Sequence, residues 1–406
     1  MGADHRLSEN ESGRSEIARN SVPLDRPAHR KPIDFSTMRF AAFTAILLSP
    51  LLAIGADAPP RDLSNALAPL AQKYNLPGVV GAIIHGDKIV ALGSTGIRKV
   101  GDSAPFLPTD IIHLGSDTKA MTAILIGQLI DQNQLSFDTT MANLFPDLAK
   151  NMNPAMAKNT VRNLLDHNGG FPHDLPWRMI EATHLPLVAQ RRMALVEALS
   201  AAPDPPIGTY SYSNVSFVLL GAIIEAKTGK PWEDVIRQNI FESLHMESAG
   251  FGPPGTAGKV DEPWGHGLEN GKVVPFYGDN AAVLGPAGTV HCSIVDWSKF
   301  IAEILRSAQG HPTLVQPETF IQLTTPMPGQ DYAGGWIIAE RDWAGGRALT
   351  HEGNNTVFCA NVWIAPKKNF AVLIATNYGG DGVDKAVDDG VGLLIGIYSS
   401  DVTKQP

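Results

Sequence analysis

Cysteine is nearly absent from the 406 residues, with only Cys292 and Cys359 present. Two cysteines make no disulfide framework, so the chain must stand on a hydrophobic core, and both are expected as small buried hydrophobes. Charge is sparse as well. Asp, Glu, Lys and Arg make up 18% of the chain, and acids outnumber bases 41 to 32, a net charge of −9. There is no basic run and no interleaving of basic with aromatic residues, which excludes a nucleic-acid surface, and the negative balance disfavours anionic membranes. No G-x-S-x-G pentad marks an α/β-hydrolase elbow. No H-E-x-x-H or clustered ligand set marks a metal site, since the twelve histidines are scattered, so no cofactor or metal is expected. Internal repeats and low-complexity segments are missing too. What remains is apolar: 44% hydrophobic residues, enough for a large core in one or two domains.

Residues 1–37 are polar and aperiodic, the composition of a disordered leader, or of a mis-called start if translation begins at Met38. Met38-Arg39 then precedes an apolar run from Phe40 to Ala56, followed by Asp57-Ala58. A basic start, a short apolar core and small residues before the cut predict a signal peptide over 38–58, a periplasmic or secreted protein, and a mature domain over 59–400. An uncleaved anchor is the alternative. The run is slightly short of the about 20 residues of a span and contains Pro50, so no stable membrane insertion is expected after cleavage.

Arg61 to Tyr74 reads as an amphipathic helix with Leu63, Leu67, Leu70 and Ala71 on one face. Val79–Ile84 and Ile89–Leu92 are apolar runs joined by His85-Gly86-Asp87-Lys88, a hairpin signal. From about 135 to 284 the chain is rich in Pro, Asn and Gly, with short helical patterns such as Ala194–Ala201 and Ser216–Lys227 and a long loop-rich stretch from Gly250 to Gly288. Strands return at Gly335–Ile338, Thr356–Ile364 and Phe370–Thr376. Ser293-x-x-Asp296 caps a helix through Leu305, and Val383–Tyr398 is a C-terminal helix. The predicted class is α+β, an α/β sandwich. An antiparallel sheet flanked by helices is built from both chain ends (about 59–134 and 285–400), with a mostly helical insertion over about 135–284.

One stretch carries chemistry. Ile112-His113-Leu114-Gly115-Ser116-Asp117-Thr118-Lys119 leads from an apolar approach into a helix that is apolar on most faces. Such a helix is buried. Residues three apart share a helical face, so Lys119 reaches Ser116. A charged lysine there is costly unless it has a partner or a shifted pKa, and a desolvated, partly neutral lysine is a base that activates a serine. The helix N-terminus also offers N–H groups to an oxyanion. Alone, S-x-x-K recurs by chance, and Ser116 could be an N-cap.

Two further elements follow in order. Tyr212-x-Asn214 stands just before an apolar helix: a phenol beside cationic groups can serve as acid or base, and an amide can hold a substrate amide. A plain pre-helix turn has the same look. His351-Glu352-Gly353-Asn354-Asn355 precedes the strand expected from Thr356. The glycine lets backbone approach a ligand, and the histidine could bind a carboxylate or shuttle a proton. A surface turn is the alternative. Glu352 and Asp117 read as surface or helix-start charges, and His167 as structural.

The order S-x-x-K, Y-x-N, basic-x-G resembles that of serine β-lactamases and penicillin-binding proteins. The sequence resembles the β-lactamase-related superfamily over about residues 60–400, nearest its class C β-lactamase, D,D-carboxypeptidase and family VIII esterase branches. The likeness is carried by Leu76-Pro77-Gly78, Gly115-Ser116-x-x-Lys119, Leu164-Leu165-x-His167-x-x-Gly170-Phe171, Tyr212-Ser213-Asn214, Gly285-Pro286-Ala287-Gly288, Gly335-Trp336 and His351-x-Gly353. It implies an acyl-enzyme on Ser116, with Lys119 and Tyr212 handling protons. Asn214, His351, Gly353 and Asn354 would line the substrate, and the N–H groups of Ser116 and Asn354 would form the oxyanion hole. A histidine stands where β-lactamases usually have lysine, which turns the expectation toward an esterase or peptidase on small acyl or D-amino-acid substrates. The alternatives are a β-lactamase or D,D-carboxypeptidase and, from another class, an inactive binding or sensor protein. The expected partner is a small ester, amide or peptide.

Overall fold

Apolar runs far apart in the chain pair with one another, β-strand residues 78–85 with 370–376 among them. The structure, a computed structural model, describes residues 59–402, so the leader and signal peptide expected over 1–58 lie outside the described residues. The N-terminal part supplies β1 (Arg61–Asp62), β2 (Gly78–His85) and β3 (Lys88–Gly96). The C-terminal part supplies β9 (Tyr332–Ala333), β10 (Trp336–Arg341), β11 (Gly346–Asn354), β12 (Cys359–Ala365) and β13 (Phe370–Thr376). They form one sheet in the order β1-β3-β2-β13-β12-β11-β10-β9, antiparallel except for the β1–β3 pair. The sheet is thus built from both chain ends, and the α+β class holds. Between these parts lie β4 (Ile111–His113), β5 (Gly250–Phe251), β6 (Gly265–Glu269), β7 (Lys272–Phe276) and β8 (Val290–Ser293), in two small sheets.

Central strands are covered on both faces, which is why they read as continuous apolar runs. In β13, Phe370, Val372 and Ile374 face one core with α1 (Ser64–Tyr74) and the C-terminal helix, while Ala371, Leu373 and Ala375 face the other. That second core also holds α2 (Thr118–Asp131), α3 (Leu187–Ser200), α4 (Asn214–Thr228) and α5 (Ile294–Ala308). The C-terminal helix is α6 (Val383–Val402). At the head of α5, Ser293 Oγ accepts the Asp296 N–H at 3.1 Å, as the cap motif predicts. Cys292 and Cys359 are free and fully buried, one in each core.

Three elements differ from the sequence reading. His351–Asn354 is the end of a central strand, β11, and not a turn: its polar residues break the alternation, but pairing with β10 and β12 imposes extended backbone. The stretch expected as loop between Gly250 and Gly288 contains the β6–β7 hairpin. Helix α3 starts at Leu187, seven residues before the predicted start, and Arg61 pairs with Ala91 in a strand before α1 begins.

Candidate active site

Ser116 sits where β4 turns into α2. A single 3-10 turn, Gly115–Asp117, joins them, and α2 begins at Thr118. This turn touches the end of β11 through two glycines. Gly115 has φ +52, and a methyl on it would lie 2.5 Å from the Asn354 nitrogen; one on Gly353 would lie 1.9 Å from the Leu114 carbonyl oxygen and 2.8 Å from the Ser116 nitrogen. Only glycine admits this approach. Asn355 N–H donates to Phe358 C=O across the β11–β12 ladder. Backbone groups alternate direction along a strand, so the Asn354 N–H faces away from β12, toward Gly115 and Ser116. Ser116 and Asn354 thus present their N–H groups on the two sides of one contact.

Lys119 is fully buried one helical turn from Ser116. Its Nζ lies 3.0 Å from Ser116 Oγ, 2.8 Å from Asn214 Oδ1 and 2.8 Å from the Ala287 carbonyl oxygen. Desolvation pulls its pKa down to about 7, against the opposing pull of Asp174 and Asp117. Asn214 Oδ1 and the Ala287 carbonyl can only accept. A neutral amine therefore gives each an N–H and turns its lone pair to the Ser116 hydroxyl.

Asn214 opens α4, whose N-cap Ser213 accepts the Ser216 N–H. Its Nδ2 donates to Asp174 Oδ1 at 2.9 Å, which fixes Oδ1 toward Lys119. Asp174 also accepts from Trp177 Nε1 and pairs with His173. Burial raises its pKa, but the hydrogen bonds from His173, Trp177 and Asn214 outweigh that and hold it ionised below the usual range. Sequence reasoning missed Asp174; the only available signal was its place after Gly170-Phe171-Pro172 in the His167 motif.

Tyr212 lies with its ring 4.8 Å from Lys119 Nζ and 4.5 Å from the His167 ring. Burial drives the phenol pKa up, and a hydrogen bond with Ser116 only partly offsets this, so Tyr212 keeps its proton. His167 Nδ1 accepts the Ser213 N–H at 3.2 Å, consistent with the structural role read for it.

The structure moves two residues from where the sequence put them. His351 is 4% exposed and so no cation at the cleft edge: its Nε2 lies 3.4 Å from the Tyr332 hydroxyl and its Nδ1 3.7 Å from Asp117 Oδ1. Desolvation, aided by the Lys119 charge, pulls its pKa down to about 3. Asp117 is 3% exposed and so no surface charge; desolvation first, then Glu352, pushes its pKa well up against the pull of Lys119. A polar residue beside the nucleophile looks exposed in sequence, and only the packing of β11 over the turn buries it. Among the described residues no group of His, Cys, Asp or Glu is arranged to hold a metal ion.

A buried lysine one turn from a half-buried serine at a helix head, with a sheet made from both ends of the described chain, defines the β-lactamase-related class of fold. The family model for beta-lactamase matches residues 63–396, and the chain belongs to that family. Among curated relatives it is 23% identical over 320 residues to Protein flp of Staphylococcus aureus (strain COL), covering 78% of this chain and 63% of that protein. It is 24% identical over 338 residues to Unguisins hydrolase ungD' of Aspergillus campestris (strain IBT 28561), covering 78% and 61%. The chain therefore spans less than two thirds of the length of these relatives. In fold it is similar to a class C beta lactamase from Rhodobacter sphaeroides, with a TM-score of 0.65 at 21% identity over 82% of this chain and 98% of that one.

Proposed function

We propose that the protein is an exported hydrolase of small esters and amides that works through an acyl-enzyme on Ser116. The observation that carries this is Lys119, buried, with a pKa of about 7 and Nζ 3.0 Å from Ser116 Oγ. Lys119 takes the Ser116 proton as Oγ bonds to the acyl carbon. The carbonyl oxygen becomes the oxyanion between the Ser116 and Asn354 N–H groups. The proton on Lys119 passes by way of the Tyr212 hydroxyl to the leaving group as its bond to the acyl carbon breaks. Water then gives a proton to Lys119 as its oxygen bonds to the acyl carbon, and Lys119 returns that proton to Ser116 Oγ as the acyl–Oγ bond breaks, which releases the acid and restores the neutral amine. Tyr212 acts as a protonated relay, since its raised pKa opposes a phenolate. Asn214 orients both Lys119 and the substrate amide.

The charges around the site favour substrates without a carboxylate beside the scissile bond. His351 is neutral and buried, Lys119 is neutral about half the time at pH 7, and Asp174 is an anion one hydrogen bond from Asn214. This supports an esterase or peptidase on neutral acyl groups over a β-lactamase or D,D-carboxypeptidase. Export rests on the signal-peptide pattern of residues 38–58. Among the described residues no helix is long and apolar enough to cross a membrane.

The test is labelling with a fluorophosphonate, mapped by mass spectrometry, alongside turnover of p-nitrophenyl esters, a chromogenic cephalosporin and D-Ala-D-Ala peptides. Labelling at Ser116, lost in Ser116→Ala, with esters turned over faster than the cephalosporin, is expected. Labelling at Ser213 or Ser293 would overturn the mechanism.

A further inference from the structure

A buried carboxylate joins the segments that carry both N–H groups of the oxyanion hole. His113, at the end of β4, accepts the Gly115 N–H on Nδ1 at 3.0 Å. That bond leaves no proton on Nδ1, so the ring proton is on Nε2. Nε2 lies 2.9 Å from Asp279 Oδ1, with both side chains at most 5% exposed. The same oxygen accepts Asn355 Nδ2 at 3.0 Å and the Asn280 N–H at 2.7 Å. Asn355 in turn fixes the turn after β11, its Oδ1 accepting the Phe358 N–H at 2.8 Å. Asn280 Nδ2 donates to the Gly288 carbonyl at 3.0 Å, and Gly288 packs on Gly115.

The connectivity is specific. Gly115 precedes Ser116, and Asn355 follows Asn354, so one oxygen atom reaches the neighbour of each oxyanion donor. From these contacts we infer that Asp279 is a positioning residue: through His113 and Asn355 it sets the spacing between the Ser116 and Asn354 N–H groups. Its carboxylate contacts His113, Asn355 and Asn280, not Ser116. Its effect rests on the oxyanion hole of the proposed mechanism. Two donors aimed at a developing charge lose their value when one is displaced, and a shift of about 1 Å can cost on the order of a hundredfold in rate. Substrate binding in the ground state does not depend on that spacing in the same way.

The experiment compares Asp279→Ala, Asp279→Asn and His113→Asn with wild type. Asparagine at 279 still offers an oxygen to His113 and Asn355. Asparagine at 113 can still meet the Gly115 N–H, but it is too short to reach position 279. The readouts are kcat and KM for a p-nitrophenyl ester, the affinity of phenylboronic acid, whose tetrahedral adduct fills the oxyanion hole, and melting temperature. Asp279→Ala and His113→Asn should each lower kcat by roughly ten- to a hundredfold with KM within about twofold, and weaken the boronate in parallel. Asp279→Asn should stay within about threefold of wild type, because an acceptor oxygen is enough. If Asp279→Ala fails to fold, His113→Asn carries the test. Boronate affinity and kcat that survive in the folded variants would overturn the positioning role, as would equal losses in kcat and ground-state binding. Wild-type protein that takes no phosphonate on Ser116 would instead overturn the hydrolase reading itself.

Discussion

Asp117 Oδ1 stands 3.7 Å from His351 Nδ1, and neither atom has a hydrogen-bond partner among the described residues. Asp117 follows Ser116 and His351 precedes Gly353 by two, so the contact lies where the nucleophile turn meets β11. Burial pushes both groups toward their neutral forms, raising the acid and lowering the imidazole. The histidine of the His351-x-Gly353 element is therefore turned inward, onto an acid.

The first consequence concerns substrate charge. His351 with a pKa of about 3 does not titrate near neutrality. For a matched pair of esters, one neutral and one bearing a carboxylate, the ratio of kcat/KM from about pH 5.5 to 8.5 should follow the same curve in wild type and His351→Gln. A step near pH 6.5, present in wild type and lost in His351→Gln, would place a protonated His351 on the substrate carboxylate.

A second concerns stability. The Asp117 pKa is raised on folding, so above about pH 4 the unfolded chain releases a proton that the folded chain holds. That contribution to stability is full below the unfolded pKa and falls as pH rises toward the folded one. Asp117→Asn removes the dependence and gives His351 a donor. It should raise stability at pH 7 by about 1–2 kcal/mol, with the advantage shrinking toward pH 4. Melting curves across that range check it; an advantage that grew on acidification would mean Asp117 is ionised and paired.

Lys119 sets the pH profile of the rate. With its pKa near 7, the neutral base accumulates as pH rises, and kcat/KM should climb through about pH 7 and level off above it. Lys119→Ala should lower kcat by about 10²–10⁴ with little change in KM, and Lys119→Arg should not restore it, since guanidinium does not release its proton. Between about pH 7 and 10.5 the unfolded lysine holds a proton that the folded one lacks, so this site's contribution to stability rises with pH there. A folded Lys119→Ala with full activity would remove the lysine from the mechanism.

Gly353→Ala tests the contact between β11 and the nucleophile turn. The added methyl would lie 1.9 Å from the Leu114 carbonyl oxygen, a backbone atom that cannot swing aside. Activity should fall by roughly a hundredfold or more, with stability lowered by about 1–3 kcal/mol. Ester turnover and melting temperature measure the two effects; an active Gly353→Ala would show that the two segments do not need this approach.

Short-range spacing was legible in the sequence. Ser116 and Lys119 face one another because a helix puts residues three apart on one side, and the β2–β3 hairpin and the Ser293 cap follow from alternation and side-chain chemistry within a few residues. Family resemblance placed Tyr212 and Asn214 near them, and the structure brings Asn214 to Lys119 across 95 positions. What no local pattern could reveal was the burial of Asp117, His351 and Asp279. Whether Asp117, His351 and Asp279 are solvated or enclosed depends on which strand packs over them, and β11 itself is extended because β10 and β12 pair with it, its own residues alternating poorly. Asp174 and Asp279 acquire their roles from partners 40 and 76 residues away. The residue types that carry the chemistry were set by sequence alone. Their protonation states were decided by the tertiary fold, because a pKa follows desolvation and neighbours brought together only on folding.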